Sequence, residues 1–94
     1  MRSHWIVQGE RGLTLERRDM PRPEPEEGQL LVEVHASSFN RGELLTGHGA
    51  YDPNGKPAGM ECAGKVAALG AGVPGFTLGE RVMGRCVGGF ADYA

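Results

Sequence analysis

The chain has 94 residues, with ten Lys and Arg against 12 Asp and Glu and a net charge of −2. This length allows one domain at most, and a domain this small buries only roughly 60 to 65% of the surface that its unfolded chain exposes. The 16 glycines and six prolines follow no collagen-like period, and a hydrophobic content of 39% excludes disorder. The composition therefore predicts a compact, mainly β fold with a modest core and many turns.

Charge and hydropathy also exclude several classes of partner. Apart from the Arg17-Arg18 pair the basic residues are scattered, so the sequence predicts no nucleic-acid partner. It has no stretch as long as a membrane span and no signal-peptide apolar run. Cys62 and Cys86 lie in apolar segments without CxxC spacing, which favours two buried thiols over a disulfide or a ligand pair. We expect a cytoplasmic protein with no membrane partner.

Alternating apolar residues predict the first elements of the chain. Strands over residues 4–9 and 13–18 would form a hairpin around residues 9–12, with alternate apolar side chains at Trp5, Val7, Leu13 and Leu15. Three alternate prolines in residues 20–28 predict an extended connector across the surface, and they also allow a proline-rich ligand for an aromatic groove. Residues 29–36 are the strongest predicted strand, with Leu30, Val32 and Val34 on one face and Leu31, Glu33 and His35 on the other.

The sequence then changes its period. Asn40 can cap a short helix, Glu43 has the spacing of a capping-box acid, and Gly47 can end the helix after two turns. Residues 47–59 have the composition of a loop. Tyr51, the one bulky ring in that loop, either packs over it or lines a pocket.

A carboxylate in an apolar setting organises the next segment. Glu61 lies between Met60 and Cys62, in a strand of small residues that is predicted within residues 57–70. Because a buried carboxylate must be paired or hydrogen-bonded, we expect Glu61 to be buried and to have a partner.

Residues 70–75 match GxGxxG letter for letter after a predicted strand. A dinucleotide fingerprint needs a helix that opens at its third glycine, and Pro74 and Gly79 break any helical period here. The segment is predicted to be a wide turn between antiparallel strands. Two further short strands are predicted over residues 80–85 and 89–94, and the second would leave an unpaired edge where the sequence ends, so we expect the natural chain to continue past Ala94.

In order and spacing, these features resemble the N-terminal GroES-like catalytic domain of the medium-chain dehydrogenase/reductase superfamily, especially its zinc-independent quinone oxidoreductase branch. The matching segments are residues 25–36, Asn40 with Glu43, residues 59–64, residues 66–70 with Gly72 and Val73, and residues 76–82 and 88–93. The resemblance implies that residues 1–94 form a GroES-like, partly open β-barrel with one short helix. It also implies that this barrel is incomplete without the Rossmann cofactor domain that follows in the family and is absent from this sequence.

Two replacements in this pattern concern zinc. Zinc alcohol dehydrogenases have a cysteine ligand at the position of Asn40 and a histidine ligand at the position of Met60. A thioether is a poor zinc ligand, and the four-cysteine structural zinc lobe is missing after Arg81. The resemblance therefore implies an enzyme with no zinc and no other metal site.

The resemblance also implies roles for individual residues. Asn40 would be the catalytic residue at the nicotinamide end of the cofactor, with Arg41, which replaces a proline common in the branch, beside it in the cofactor site. Tyr51 would line the substrate cleft, and Glu61 and Glu43 would be structural residues beneath the active-site floor. The implied reaction is hydride transfer from NADPH to a quinone, enone or similar carbonyl substrate.

For the chain alone, we expect neither tight NADPH binding nor turnover, because the pyrophosphate site belongs to the Rossmann domain, in cis or in trans. The resemblance is also compatible with a homodimer. Two other interpretations stay open from the sequence. The chain could be a stand-alone, co-chaperonin-like oligomer subunit, or a non-enzymatic interaction module that uses its proline-rich segment or its last strand for β-augmentation.

Overall fold

The computed structural model describes residues 1–41 and 54–94. Its described residues form a mainly β structure, as predicted, with two three-stranded antiparallel sheets in the orders β2-β1-β4 and β3-β5-β6. The strands are β1 (Arg2–Gly9), β2 (Gly12–Asp19), β3 (Leu30–Ser37), β4 (Lys56–Pro57), β5 (Glu61–Leu69) and β6 (Arg81–Arg85). In this part of the chain, no helix has the length and apolar character needed to cross a membrane.

The predicted hairpin is confirmed. β1 and β2 pair along their whole length, down to Gly9 opposite Gly12. Gly12 has a φ of 102°, a conformation that glycine adopts without the steric cost of a side chain. Two residues, Glu10 and Arg11, are therefore enough to reverse the chain.

The hairpin has apolar side chains on both of its faces. The buried apolar residue of β1 is Ile6, at 5% exposure, and Leu15 on β2 is 54% exposed. Trp5 is half-buried, and the guanidinium of Arg18 covers its ring at 4.5 Å from the centroid. Alternation identified the period of the strands, but it could not tell how deeply either face is buried.

The strongest predicted strand is confirmed as β3, and it has buried residues on both of its faces. Leu31 and Val32 are 3% and 9% exposed, although they are neighbours in sequence. The proline-rich segment follows an extended path over Leu31, and Pro23, Pro25, Leu31 and Leu69 line one shallow depression. The surface connector is thus confirmed, and it also lies beside Leu31 on β3.

The GxGxxG segment is the predicted turn. Residues 70–80 contain no helix and connect β5 to its antiparallel neighbour β6. Gly70 packs against the connector, since a Cβ there would lie 1.9 Å from the carbonyl oxygen of Glu26. The glycines of this motif therefore shape a turn and allow close packing.

Residues 90–94 join the two sheets. Ala91 forms a bridge to Ser3 of β1, and Tyr93 forms a bridge to Glu33 of β3. The segment changes partner at Asp92, whose N–H donates to Arg2 O at 3.0 Å while its carbonyl accepts from Val34 N at 2.9 Å. The predicted strand over residues 89–94 is present only as these two bridges, which turn the two sheets into one partly open barrel.

The core of the described residues is small and comes from both sheets. Its buried apolar residues are Ile6, Leu31, Val32, Ala58, Cys62 and Val66. Cys62 is buried, as predicted, whereas Cys86 is only half-buried, and the two do not form a disulfide with each other. The interior is open on one side, where a cleft of about 1000 Å³ contains Trp5, Leu30 and Val82 in its lining.

Candidate active site

Three chain segments meet at one end of the barrel: the end of β3, the start of β5 and residues 86–90. Ser37, the last residue of β3, pairs with Cys62 in the β3–β5 ladder. Continuing that antiparallel register by one residue places Ser38 opposite Glu61. Asn40, the predicted catalytic residue, follows two residues after Ser38.

A bulge in β3 determines which side chains share a face here. The register shifts between Val34 and Ala36, so that Val34 lies opposite Gly64 and Ala36 lies opposite Ala63. The extra residue, His35, moves the following even-numbered residues of β3 to the face of the odd-numbered residues of β5. Ser38 therefore shares a face with Glu61, which alternation in the sequence alone could not predict.

Glu61 is exposed in these 94 residues, so the prediction that it is buried is wrong. The apolar neighbours from which its burial was predicted point the other way, because successive β-strand side chains alternate between faces and Cys62 occupies the inner one. The predicted partner is present: the Ser38 hydroxyl donates to Glu61 Oε2 at 3.1 Å. The Ser37 hydroxyl donates to the backbone carbonyl of the same residue at 2.6 Å.

Residues 86–90 form a wall of backbone against this junction. The N–H groups of Cys86, Gly88 and Phe90 donate to the carbonyl oxygens of Met60, Gly59 and Ala58, at 2.9, 3.0 and 2.9 Å. Gly59 has a φ of 97°, and a Cβ there would lie 2.7 Å from Phe90 N. A Cβ at Gly89 would lie 2.7 Å from Glu61 O and 2.9 Å from Ser37 Oγ. Gly59 and Gly89 thus permit the backbone of residues 86–90 to lie close to the backbone of residues 58–61 and to the Ser37 hydroxyl.

Asn40 is half-buried, and its side-chain amide nitrogen is buried. Its neighbour Arg41, predicted to contact the cofactor, is exposed. Phe39 was not singled out in the sequence; it is 82% exposed and packs edge-on against Phe90, with ring centroids 5.1 Å apart and an interplanar angle of 77°. Its position next to Asn40 in a polar loop was the only signal that could have identified it.

Two predicted site residues and one predicted element lie outside the described residues. They are Tyr51, assigned to the substrate cleft, Glu43, assigned a structural role, and the short helix that Asn40 would cap. Of the predicted site, the structure therefore describes Asn40, Arg41 and Glu61. It adds Ser37, Ser38, Phe39 and Phe90 to their surroundings.

A shallow pocket of about 360 Å³ adjoins the Ser38–Glu61 pair. Arg85 and Met83 line it from β6, and Met83 is 86% exposed. Within residues 1–41 and 54–94 there is no group of three or more His, Cys, Asp or Glu side chains that could hold a metal ion. The chemistry that the described residues offer is hydrogen bonding from an amide and hydroxyls, beside an apolar surface.

Comparison with known proteins gives a family match and several relatives. Residues 26–94 match the family described as the alcohol dehydrogenase GroES-like domain. The chain is 42% identical over 74 residues to the mouse synaptic vesicle membrane protein VAT-1 homolog-like, a match that covers 76% of the chain and 17% of the relative. It is 38% identical over 81 residues to mouse prostaglandin reductase-3, which covers 82% of the chain and 22% of the relative.

Solved structures share the fold along almost the whole chain. The quinone oxidoreductase from Coxiella burnetii has a TM-score of 0.76 at 27% identity, over 99% of the chain and 33% of the other protein. A mycobacterial protein solved in complex with NADPH has a TM-score of 0.72 at 26% identity, over 97% of the chain and 29% of the other protein. The chain thus spans about a fifth of the length of the curated relatives that it matches.

Proposed function

Because the chain belongs to the alcohol dehydrogenase GroES-like domain family of the medium-chain dehydrogenase/reductase superfamily, with relatives in its quinone oxidoreductase branch, we propose that it is the catalytic-domain portion of an NADPH-dependent, zinc-independent reductase. Its substrate is a quinone, an enone or a similar conjugated carbonyl compound. The observation that supports this best is that the half-buried Asn40 directly follows Phe39, whose ring is exposed. A hydrogen-bond donor next to an apolar surface suits a planar, conjugated carbonyl.

In this proposal Asn40 acts on the substrate oxygen. The amide N–H, which is buried in the 94 residues, turns toward the substrate in the complete enzyme, where it donates to the carbonyl oxygen and stabilises the negative charge that develops there during reduction. Arg41 contacts the cofactor, and Tyr51 lines the substrate cleft. NADPH supplies the hydride when it is bound; support for this cofactor comes from the similar mycobacterial structure solved with NADPH and from the reductase among the relatives.

The proposal assigns only the nicotinamide end of such a cofactor to the described residues. A pyrophosphate site of the dinucleotide-binding kind needs backbone N–H groups at the start of a helix. Residues 70–75 have the glycines of that motif but form a turn between β5 and β6. The pyrophosphate therefore binds to a Rossmann domain, in cis or in trans, and the 94 residues alone are inactive. We further propose a cytoplasmic enzyme that forms a homodimer.

No metal takes part in the proposed reaction. The site has Asn40 and Met60 where zinc alcohol dehydrogenases have ligands, and neither an amide nor a thioether is a good zinc ligand. Polarisation of the carbonyl consequently depends on hydrogen bonds.

The direct experiment is an activity assay on the protein produced from the native gene. We expect NADPH consumption that depends on an added quinone or enone and is unchanged after treatment with a chelator. A saturated primary alcohol with NADP⁺ is the control and should give no turnover. A protein that oxidises the alcohol and loses activity on chelation would contradict the zinc-independent mechanism, and one that reduces neither acceptor would contradict the proposed substrate class.

A further inference from the structure

We propose that Ser38 is a positioning residue, which fixes the segment that carries Asn40 by donating a hydrogen bond to the side chain of Glu61. The inference rests on the proposed role of Asn40 for its consequence in catalysis. Its structural part rests on contacts of the described residues alone. No role in the reaction was predicted for Ser38 from the sequence.

The backbone of Glu61 is held in place by its neighbours. Its backbone pairs with Arg85 of β6, and its carbonyl oxygen accepts the Ser37 hydroxyl at 2.6 Å. Gly89 closes over the same carbonyl so tightly that a Cβ there would lie 2.7 Å from it. A side chain attached to a backbone held from both sides is a suitable reference point for a neighbouring loop.

The Glu61 carboxylate is directed toward Ser38. Arg85 lies opposite Glu61 in the β5–β6 register, yet among the described residues these two side chains form no ion pair. The carboxylate is instead directed across the sheet to Ser38, at 3.1 Å from its hydroxyl. A hydrogen bond to a charged acceptor is stronger than one between neutral groups.

Ser38 directly follows the last residue of β3. β3 ends at Ser37, so Ser38 is the first residue after the ladder, where backbone pairing no longer holds the chain. The bulge at His35 puts Ser38 on the face of Glu61. Its hydrogen bond therefore extends the attachment of β3 by one residue, to within two residues of Asn40.

The test uses the 94-residue chain labelled with ¹⁵N and follows the side-chain amide resonances of Asn40 by NMR. We expect Ser38→Ala and Glu61→Ala to shift these resonances in the same direction, and the double variant to shift them no further, because all three remove one hydrogen bond. Ser38→Thr retains a hydroxyl and should restore the wild-type positions. Should Ser38→Ala not fold, Ser38→Cys, which is similar in size and a weaker donor, replaces it in the same cycle.

Two outcomes would overturn the proposal: Asn40 resonances that do not move in the Ser38 variant, or shifts in the double variant that are the sum of those in the single ones. Ser37→Ala is the matched control, since it removes a hydroxyl that donates to the backbone of Glu61 and leaves its carboxylate bonded. A purely structural role would lower the melting temperature of the Ser38 variant without moving the Asn40 resonances.

The catalytic consequence is measured separately, in the protein from the native gene. Ser38→Ala should lower kcat about tenfold with little change in KM, because misplacement of a catalytic group affects the transition state more than substrate binding. Unchanged kcat in Ser38→Ala together with a low kcat in Asn40→Ala would overturn the positioning role. Unchanged kcat in Asn40→Ala would instead contradict the proposed function, whatever the NMR result.

Discussion

Asn40 is the residue on which the proposed chemistry depends. Its amide nitrogen is buried, and the ring of the neighbouring Phe39 is exposed. An oriented donor lowers the barrier only if it interacts more strongly with the developing oxyanion than with the ground-state carbonyl. This requirement distinguishes a catalytic amide from one that merely caps a helix.

We therefore expect Asn40→Ala to lower kcat by tenfold or more, on the order of the loss of one oriented hydrogen bond. The measurement is steady-state kinetics on the protein from the native gene with a quinone and an enone. Gln8→Ala, which removes an exposed amide on β1, is the matched control and should leave kcat unchanged. Wild-type kcat and KM in Asn40→Ala would remove this residue from the site.

Glu61 illustrates how far one residue can be understood from its neighbours in sequence. Its apolar neighbours predicted burial and a partner, and only the partner is found: the carboxylate is exposed and bonded to Ser38. Sequence proximity does not give the face of a strand residue, because each neighbour points to the opposite side. The identity of the partner depended on a bulge in another strand.

At the level of the strands, β3 and β5 approach each other closely at Gly64. A Cβ at Gly64 would lie 1.9 Å from the carbonyl oxygen of Glu33, which is backbone and cannot swing away. We expect Gly64→Ala to lower the free energy of unfolding by about 1 to 3 kcal/mol, as overpacking typically does. The measurement is urea unfolding of the 94-residue chain.

Gly84→Ala is the matched control for this substitution. Gly84 is also a strand residue of the same sheet, on β6, and a Cβ there would meet nothing within 4 Å. It should leave the free energy of unfolding almost unchanged. Equal effects of the two substitutions would show that strand propensity, and not the approach of β3 to β5, determines the result.

Most elements could be predicted from the sequence because their signals are local. The hairpin, β3, β5, β6 and the turn at residues 70–75 follow from alternation and from glycine and proline at defined positions. β4 was missed, since two residues, Lys56 and Pro57, have no period and pair only because β1 is nearby. The burial of Leu31 was missed for a similar reason. The connector that lies beside it is a separate segment of the chain, and the alternation within β3 does not indicate where that segment lies.

At the level of the whole domain, the two sheets are joined at Arg2 and Asp92. The Asp92 carboxylate accepts the Arg2 backbone N–H at 2.7 Å and pairs with its guanidinium at 3.0 Å. The backbone hydrogen bond from Arg2, followed by the hydrogen bond from its side chain, lowers the pKa of Asp92. The ionised form of Asp92 is therefore favoured in the folded chain.

A carboxyl with a lower pKa in the folded chain stabilises the fold above its unfolded-state pKa, and this contribution is lost as the pH falls through the folded-state pKa. We expect Asp92→Asn to lower the melting temperature at neutral pH. The difference from wild type should shrink as the pH falls below the ordinary aspartate pKa of about 3.9 and disappear once the pH is below the lowered pKa of Asp92 in the folded chain. Glu10→Gln, at the hairpin turn, controls for the loss of one negative charge. A difference that stays constant from neutral pH into acid would contradict this account of the joint.

We propose that these residues form the substrate side of a reductase and depend on another domain for the cofactor. The most direct measurement is a calorimetric titration with NADPH of the 94-residue chain and, in parallel, of the protein produced from the native gene. We predict no tight binding by the 94 residues, and both binding and quinone- or enone-dependent turnover by the native product. Tight NADPH binding by the 94 residues alone would contradict the claim, as would a native product that neither binds NADPH nor reduces either acceptor.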